Sequence, residues 1–333
     1  MSLKDEYAAF INTCGIADLS WRGKIKVSGR DRIDFLHNIL TQDIAKLKPG
    51  MGSYAALLSS PGKILADMHV SIFEDHILLD LEAGLEEKLA GLLERYIITE
   101  DVLLASASKS FAHLFLKGPE ARRILGTAFR EVPLPDPPPF FHEPIENPWG
   151  EVILKKSFQK DAWHLLIAGN AAEPVTLELL KAGKTKGLAP AGLEAWEILR
   201  IEAGIPRYGR DMDENTLLSE TGLENLAASE TKGCYPGQEV VARIKTYKGL
   251  KRKLATLTFE GGETFKSGEN IYTLNGDVAG EITSCAVRPG EAETLALGYL
   301  AISVYSEENS GIFLKTGGGT LRGEIRGVDA STI

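Results

Sequence analysis

A thiol, an amine and two glycines converge in Lys232-Gly233-Cys234-Tyr235-Pro236-Gly237-Gln238-Glu239-Val240-Val241-Ala242-Arg243. Tyr235-Pro236-Gly237 is turn chemistry, because Pro presets φ and Gly accepts φ > 0. Val240, Val241, Ile244 and Tyr247 then recur at helical spacing. The spacing places Cys234 on a tight turn opening a helix, with Lys232 nearby. A neighbouring cation lowers a thiol's pKa and favours thiolate chemistry, so both are candidate catalytic residues. Free cysteines are as commonly buried and inert, and a purely structural turn stays open.

Other chemistry-bearing residues depend on the elements that present them. Lys63–Phe73 reads as a strand after the turn Ser59-Ser60-Pro61-Gly62, with Lys63, Leu65, Asp67 and His69 on one face. Asp67 belongs either to a solvated face or to a pocket. A helix over 191–203, stopped by Gly204 and Pro206, carries Arg200 and Glu202 among apolar residues, where a plain amphipathic pattern does not account for them. Arg243, Lys245, Lys248, Lys251, Arg252 and Lys253 form a basic run that suits a solvated face or the anionic tail of a ligand.

Around these residues, strand and helix patterns alternate through residues 24–125 in the rhythm of ferredoxin-like α+β units. Seven of the 15 prolines fall between Pro133 and Pro148, which predicts an extended crossing between two lobes. From Gly249 on the texture changes to short β runs, near 253–259, 270–274, 279–284, 295–299 and 312–316, and 14 of the 34 glycines lie there. That pattern predicts a small C-terminal β-barrel.

With 333 residues the chain exceeds what a single core usually supports. A net charge of −9 argues against an extended nucleic-acid-binding face. Cys14, Cys234 and Cys285 are far apart, with no Cys-x-x-Cys and no histidine at ligand spacing, so neither a metal site nor a disulfide framework is expected and a cytoplasmic location fits. No apolar run is long enough to span a membrane.

The Cys234 stretch, K-G-C-Y-x-G-Q-E-x-x-x-R, resembles the signature of the YgfZ family of folate-binding proteins, themselves related to the aminomethyltransferase (T-protein) of the glycine cleavage system. Arg200-Ile201-Glu202-Ala203-Gly204-Ile205-Pro206 resembles the R-x-E-A-G-I-P segment of both groups. Tyr208-Gly209 and Asp211-Met212-Asp213-Glu214 are similar to the T-protein continuation, and Pro61–Asp67 to the strand that bears an aspartate at the folate site. The three motifs are collinear.

The resemblance implies an aminomethyltransferase-like α+β folate-binding region over residues 1–245 and a C-terminal β-barrel over 250–333. It implies tetrahydrofolate, or a one-carbon derivative, as cofactor. Glu202 would hold the pterin, whose adjacent N–H groups a carboxylate can accept as a fork. Asp67 would stand near the reactive nitrogens, and Arg200, Tyr208 and Arg243 lie in the same folate-associated motifs. It further implies a role in iron–sulfur cluster assembly or repair with linked tRNA modification, and client or assembly proteins as partners. The T-protein has two consecutive acidic residues where this chain has Ala66-Asp67, a departure that weighs against glycine-cleavage chemistry and leaves folate binding intact. An aminomethyltransferase and a non-catalytic folate-binding scaffold are the alternative functions.

Overall fold

A computed structural model describes residues 1–129, 136–247, 249–306, 311–316 and 319–326. The chain divides into two compact units. The first comprises Met1–Leu57, Ala66–Leu193 and Ala227–Tyr235; the second comprises Leu58–Leu65, Glu194–Leu226 and Pro236–Ile333. This division differs from a boundary near residue 245, since the 194–226 segment groups with the C-terminal strands.

The strands of the first unit are β1 (Cys14–Asp18), β2 (Gly23–Ser28), β3 (Gly52–Leu58), β4 (Ile64–Ile72), β5 (His76–Leu81), β6 (Leu103–Ser106), β7 (Phe111–Lys117), β8 (His142–Asn147), β9 (Gly150–Lys156), β10 (Ala162–Ala168) and β11 (Leu188–Pro190), with the end residues Leu58, Ile64 and Leu65 of β3 and β4 counting with the second unit. Its helices are α1 (Leu3–Asn12), α2 (Arg32–Ile39), α3 (Glu86–Glu94), α4 (Ala121–Phe129) and α5 (Ala172–Gly183). They build a five-stranded sheet of order β3-β4-β5-β2-β6 and a six-stranded sheet of order β11-β1-β7-β10-β9-β8.

One face of the six-stranded sheet closes on α4 and α5. Leu116, Leu154, Trp163 and Leu165 pack with Ile124, Leu125, Val175 and Leu179, each at most 1% exposed. Burying a side chain of this size contributes about 1.5–3 kcal/mol. The proline-rich stretch is a strand in part. Pro144 lies within β8, paired with Ile153 at the sheet's edge, the position where a residue without an N–H is tolerated. Pro133 and Pro135 lie outside the described residues.

The second unit holds α6 (Leu193–Glu202), α7 (Glu224–Ala227) and α8 (Gln238–Tyr247), whose end residues Leu193 and Ala227 count with the first unit. Its strands are β12 (Arg252–Glu260), β13 (Asn270–Thr273), β14 (Val278–Val287), β15 (Glu293–Ala301), β16 (Ile312–Thr316) and β17 (Gly319–Arg326), which close into a barrel of order β12-β15-β14-β13-β16-β17. Leu257, Phe259, Ile271, Ile282, Leu300, Ile312 and Leu314 fill it, none with measurable exposure. Strand crossing explains a glycine here: a Cβ on Gly280 would stand 1.9 Å from the Tyr299 carbonyl oxygen. The β-barrel expected from the sequence is present, with β17 as an added strand that Gly-rich, charged residues concealed.

The two sheets of the first unit meet through polar strand faces. On β4, Ile64, Ala66, Met68 and Val70 are buried on one side, while Leu65, Asp67 and His69 are half-buried on the other. His69 is in register with Asp80 on β5, and Asp80 with Lys24 on β2. On the opposing sheet, Phe115, His164, Lys155 and His142 lie in one row across β7, β10, β9 and β8. The His69 ring lies 6.2 Å from that of His164 and 5.6 Å from that of Phe140. Leu78, Ala107, Ile153 and Leu166 seal the same interface as a small apolar cluster.

Charges caught in such a layer are costly to desolvate. Burial lowers Lys155 to about 8, and Lys24 below its usual range. It also drives His164 to about 3 and His142 to about 4, so both imidazoles are neutral at pH 7. The folded Lys155 pKa lies below its unfolded value. Its penalty is therefore fully present below pH 8 and fades as pH rises toward 10.5. Lys155→Met should stabilise the protein by about 1–3 kcal/mol at pH 7. The gain should shrink in urea titrations between pH 8 and 10, and an unchanged or lowered stability at pH 7 would show that the ammonium is fully compensated.

Candidate functional site

Asp67 has the geometry of a reactive carboxyl. The Tyr54 hydroxyl, from β3, donates to its Oδ2 at 2.8 Å. Its Oδ1 is buried and has no hydrogen-bond partner among the described residues. Burial raises the carboxyl to about 6, against the opposing pull of Tyr54 and the Arg22 guanidinium. A buried unpaired acceptor costs about 1–3 kcal/mol, and a ligand N–H would satisfy it. The polar face of β4 is therefore covered by protein and is not a solvated strand face. The sequence marked Asp67 but not Tyr54, thirteen residues upstream on the neighbouring strand, because only the β3–β4 pairing joins them.

Beside Asp67, the His69 ring is packed by Tyr54 at 5.5 Å and Phe158 at 5.8 Å. His164 Nδ1 and His113 Nε2 are 2.9 Å apart and share one hydrogen bond. Among the described residues, no group of three or more His, Cys, Asp or Glu side chains is arranged to hold a metal ion.

Cys234 is exposed. Its turn is anchored by Lys232, only 7% exposed, whose ammonium donates to the carbonyls of His37, Leu40 and Gln42 at the end of α2. A cation at a helix C-terminus is a favourable placement. Burial lowers the Lys232 amine to about 8. The amine thus caps a helix and also stands 5.0 Å from the centre of the Tyr235 ring. In the second unit, Gly237 has φ +81°, and a Cβ there would sit 2.6 Å from the Ser59 carbonyl oxygen. Only glycine fits that approach.

Glu202 ends α6, half-buried, and accepts from Arg288 Nη2 at 2.7 Å. Arg200, 1% exposed, is bound to Asp211 and Glu197 and donates to Ser284 on β14 at 2.7 Å. It ties α6 to the barrel, which explains a cation on an apolar helix. Three guanidiniums, those of Arg200, Arg207 and Arg210, surround Glu197 and hold it down to about 2 despite its burial. Tyr208 is buried, its hydroxyl 3.4 Å from the Ile64 carbonyl and from Glu214 Oε2. Arg243 is exposed on α8 and pairs with Glu239 at 3.2 Å. No described residue of α8 is buried, and Tyr247 is 78% exposed.

A polar cavity of about 320 Å³ lies between the 209–216 loop and barrel residues Arg252, Glu281, Thr283 and Tyr299. Its charges are already engaged, Arg252 with Glu220 and Glu281, and Asp211 with Arg200.

Two sheets and a C-terminal barrel in this order are an architecture already known in structure. Residues 1–230 match the family model described as the GCVT N-terminal domain. The chain is 31% identical over 303 residues to an aminomethyltransferase of Halothermothrix orenii, covering 90% of this chain and 83% of that protein. It is 29% identical over 321 residues to one of Prochlorococcus marinus, covering 91% and 83%. In structure it superposes on the glycine cleavage system aminomethyltransferase T of Bartonella henselae with a TM-score of 0.85, at 21% identity, over 99% of this chain and 90% of that one. The chain belongs to the GCVT family and has the aminomethyltransferase fold.

Two outcomes follow from these placements. Cys14 is buried, and its thiol is pushed up to about 12; Cys285 is partly buried, raised by the same cause, and donates to the Phe265 carbonyl at 2.9 Å. Iodoacetamide at neutral pH should therefore label Cys234 first by mass spectrometry; labelling it last would mark it as inaccessible in solution. Arg200→Met should cost about 3–5 kcal/mol in urea unfolding, because it leaves the buried Asp211 without its counter-ion, while Glu197 keeps Arg207 and Arg210. A loss below 1 kcal/mol would mean that solvent reaches the Asp211 carboxylate.

Proposed function

We propose that this protein binds tetrahydrofolate, or a one-carbon derivative of it, and acts in the manner of the YgfZ group, in folate-dependent iron–sulfur cluster assembly or repair in the cytoplasm. The single observation that carries the folate reading is the Asp67 carboxyl. One oxygen is held by Tyr54 and the other is buried without a partner, in a chain whose GCVT-family relatives are named aminomethyltransferases. A carboxyl near pKa 6 can accept a hydrogen bond when ionised and donate one when protonated, which suits the weakly basic nitrogens of a reduced folate.

In this reading Glu202 takes the pterin edge, and the ligand replaces part of its bond to Arg288. Cys234 is the exposed thiol available to a client, while Lys232 holds the turn. Arg200 and Tyr208 act through position, Arg200 by fixing α6 and Tyr208 by packing beneath the loop. Arg243, exposed on α8, would exchange its pair with Glu239 for an anionic glutamyl tail. The signature around Cys234 favours the YgfZ reading. A second reading, aminomethyl transfer to tetrahydrofolate, is favoured by the names of the relatives at 28–31% identity.

Anaerobic calorimetry with tetrahydrofolate tests the binding. Asp67→Asn and Glu202→Gln should each weaken it by about 1.5–3 kcal/mol, the range for a hydrogen bond to a charged group. Unchanged affinity in either variant removes that carboxylate from the site. An assay with an aminomethylated lipoyl carrier then separates the two readings: turnover favours the transferase. Loss of iron–sulfur enzyme activity in cells carrying Cys234→Ser favours the YgfZ role, and no loss in such cells favours a scaffold.

A further inference from the structure

Asp67 does not stand alone on its strand face. Met68, Leu81 and Gly23 lie in register across β4, β5 and β2. The next positions along these strands are Asp67, Glu82 and Arg22, and the row beyond is His69, Asp80 and Lys24. The face is thus a small checkerboard of charge, with carboxylates at 67, 80 and 82 set against cations at 22 and 24. Like charges on neighbouring strands repel, and a guanidinium is the group best shaped to bridge them. Arg22 does so: its Nε lies 2.8 Å from Asp80 Oδ1, and its Nη1 3.8 Å from Glu82 Oε2, with side chains only 7–14% exposed.

The geometry points to Arg22 as the positioning residue that keeps Asp67 a usable carboxylate, by neutralising Asp80 and Glu82 and supplying the counter-charge two strands away. This rests on Asp67 being the folate-side carboxyl. The other groups around Asp67 cannot supply that charge. Tyr54 is neutral, and His69, His113 and His164 are held neutral by burial. Lys24 donates to the Arg22 carbonyl at 3.1 Å, which turns its ammonium along β2. Lys155 approaches from the facing sheet, cross-strand from His164. Arg22 alone among the three cations is ion-paired to both carboxylates that would otherwise press on Asp67. The Coulombic contributions have matching signs: Arg22 pulls the Asp67 pKa down and Glu82 pushes it up.

The test reads the Asp67 titration directly in folate-free protein, so its outcome is separate from whether folate binds. Carbon-13 NMR of aspartate carboxyls follows the titration, with Asp67→Asn assigning the resonance. Strands about 4.8 Å apart put Arg22 roughly 10 Å from Asp67, so Arg22→Gln should raise the midpoint by roughly 0.3–1.2 pH units. Glu82→Gln should move it the other way, and Arg22→Lys should restore most of the wild-type value. Circular dichroism confirms that each variant is folded. If Arg22→Gln does not fold, Glu82→Gln and Arg22→Lys decide alone. An unmoved midpoint in folded Arg22→Gln, or shifts of the same sign in the Arg22 and Glu82 variants, overturns the assignment. So does Glu82→Gln without effect.

Discussion

The Arg22–Asp80 ion pair is the interaction on which the first unit turns. Two sheets pack there through strand faces that carry Asp67, His69, Asp80, Lys24, His164 and Lys155. An apolar interface would be stabilised by area alone. A polar one holds only if its charges are matched, since an isolated buried ion costs several kcal/mol. Arg22 with Asp80, 2.8 Å apart, neutralises the centre of the layer, and the histidines are held neutral instead of charged. Among the described residues, the Asp67 Oδ1 and, on the opposite sheet, the His113 Nδ1 remain buried without a hydrogen-bond partner, and burial lowers the Lys155 amine. Unpaired buried groups of this kind cost stability.

The second unit solves a similar problem with a different aim. Arg200 is more buried than Arg22 and has carboxylates on two sides, Glu197 from its own helix and Asp211 from the following loop. Its bond to Ser284 carries the network onto β14. Here both carboxylates are paired, although the Arg200 Nε is buried without a hydrogen-bond partner among the described residues, and the result is a joint between helix, loop and barrel. Comparing the two clusters separates roles that residue type alone does not. A buried arginine between two paired carboxylates ties elements together, whereas the Asp67 carboxyl keeps one buried oxygen without a partner among the described residues.

This contrast explains how much was legible in the sequence. The turn-to-helix character of 232–247, the alternation on β4 and the C-terminal barrel followed from local pattern, because φ preferences and two-residue periodicity act over a few residues. The direction of the Lys232 amine did not follow. One residue, Gly233, separates it from Cys234, yet its partners are carbonyls almost 200 positions away at the end of α2. Arg200 stood out as anomalous on its helix, but the reason, Ser284, is 84 positions distant. Tyr54 and Arg22 carried no signal at all, since each meets its partner only through strand pairing. The proline-rich segment carried no sign of pairing: Pro144 is acceptable in β8 because β8 is an edge strand, and edge position is a property of the assembled sheet.

Strand pairing also bears on the Ala66-Asp67 dipeptide. The T-protein pattern has two acidic residues at these positions, and the loss of one reads in sequence as the loss of half a catalytic pair. Adjacent strand residues point to opposite faces. Ala66 is 1% exposed on the side shared with Ile64, Met68 and Val70, which is apolar, whereas Asp67 faces Tyr54 and the facing sheet. A carboxylate at 66 would enter the apolar side, where nothing in the alternation of β4 offers it a partner. The alanine therefore removes no group from the face on which Asp67 stands. The chemistry available at that face is set by one carboxyl, its tyrosine and the charges in the rows beside it.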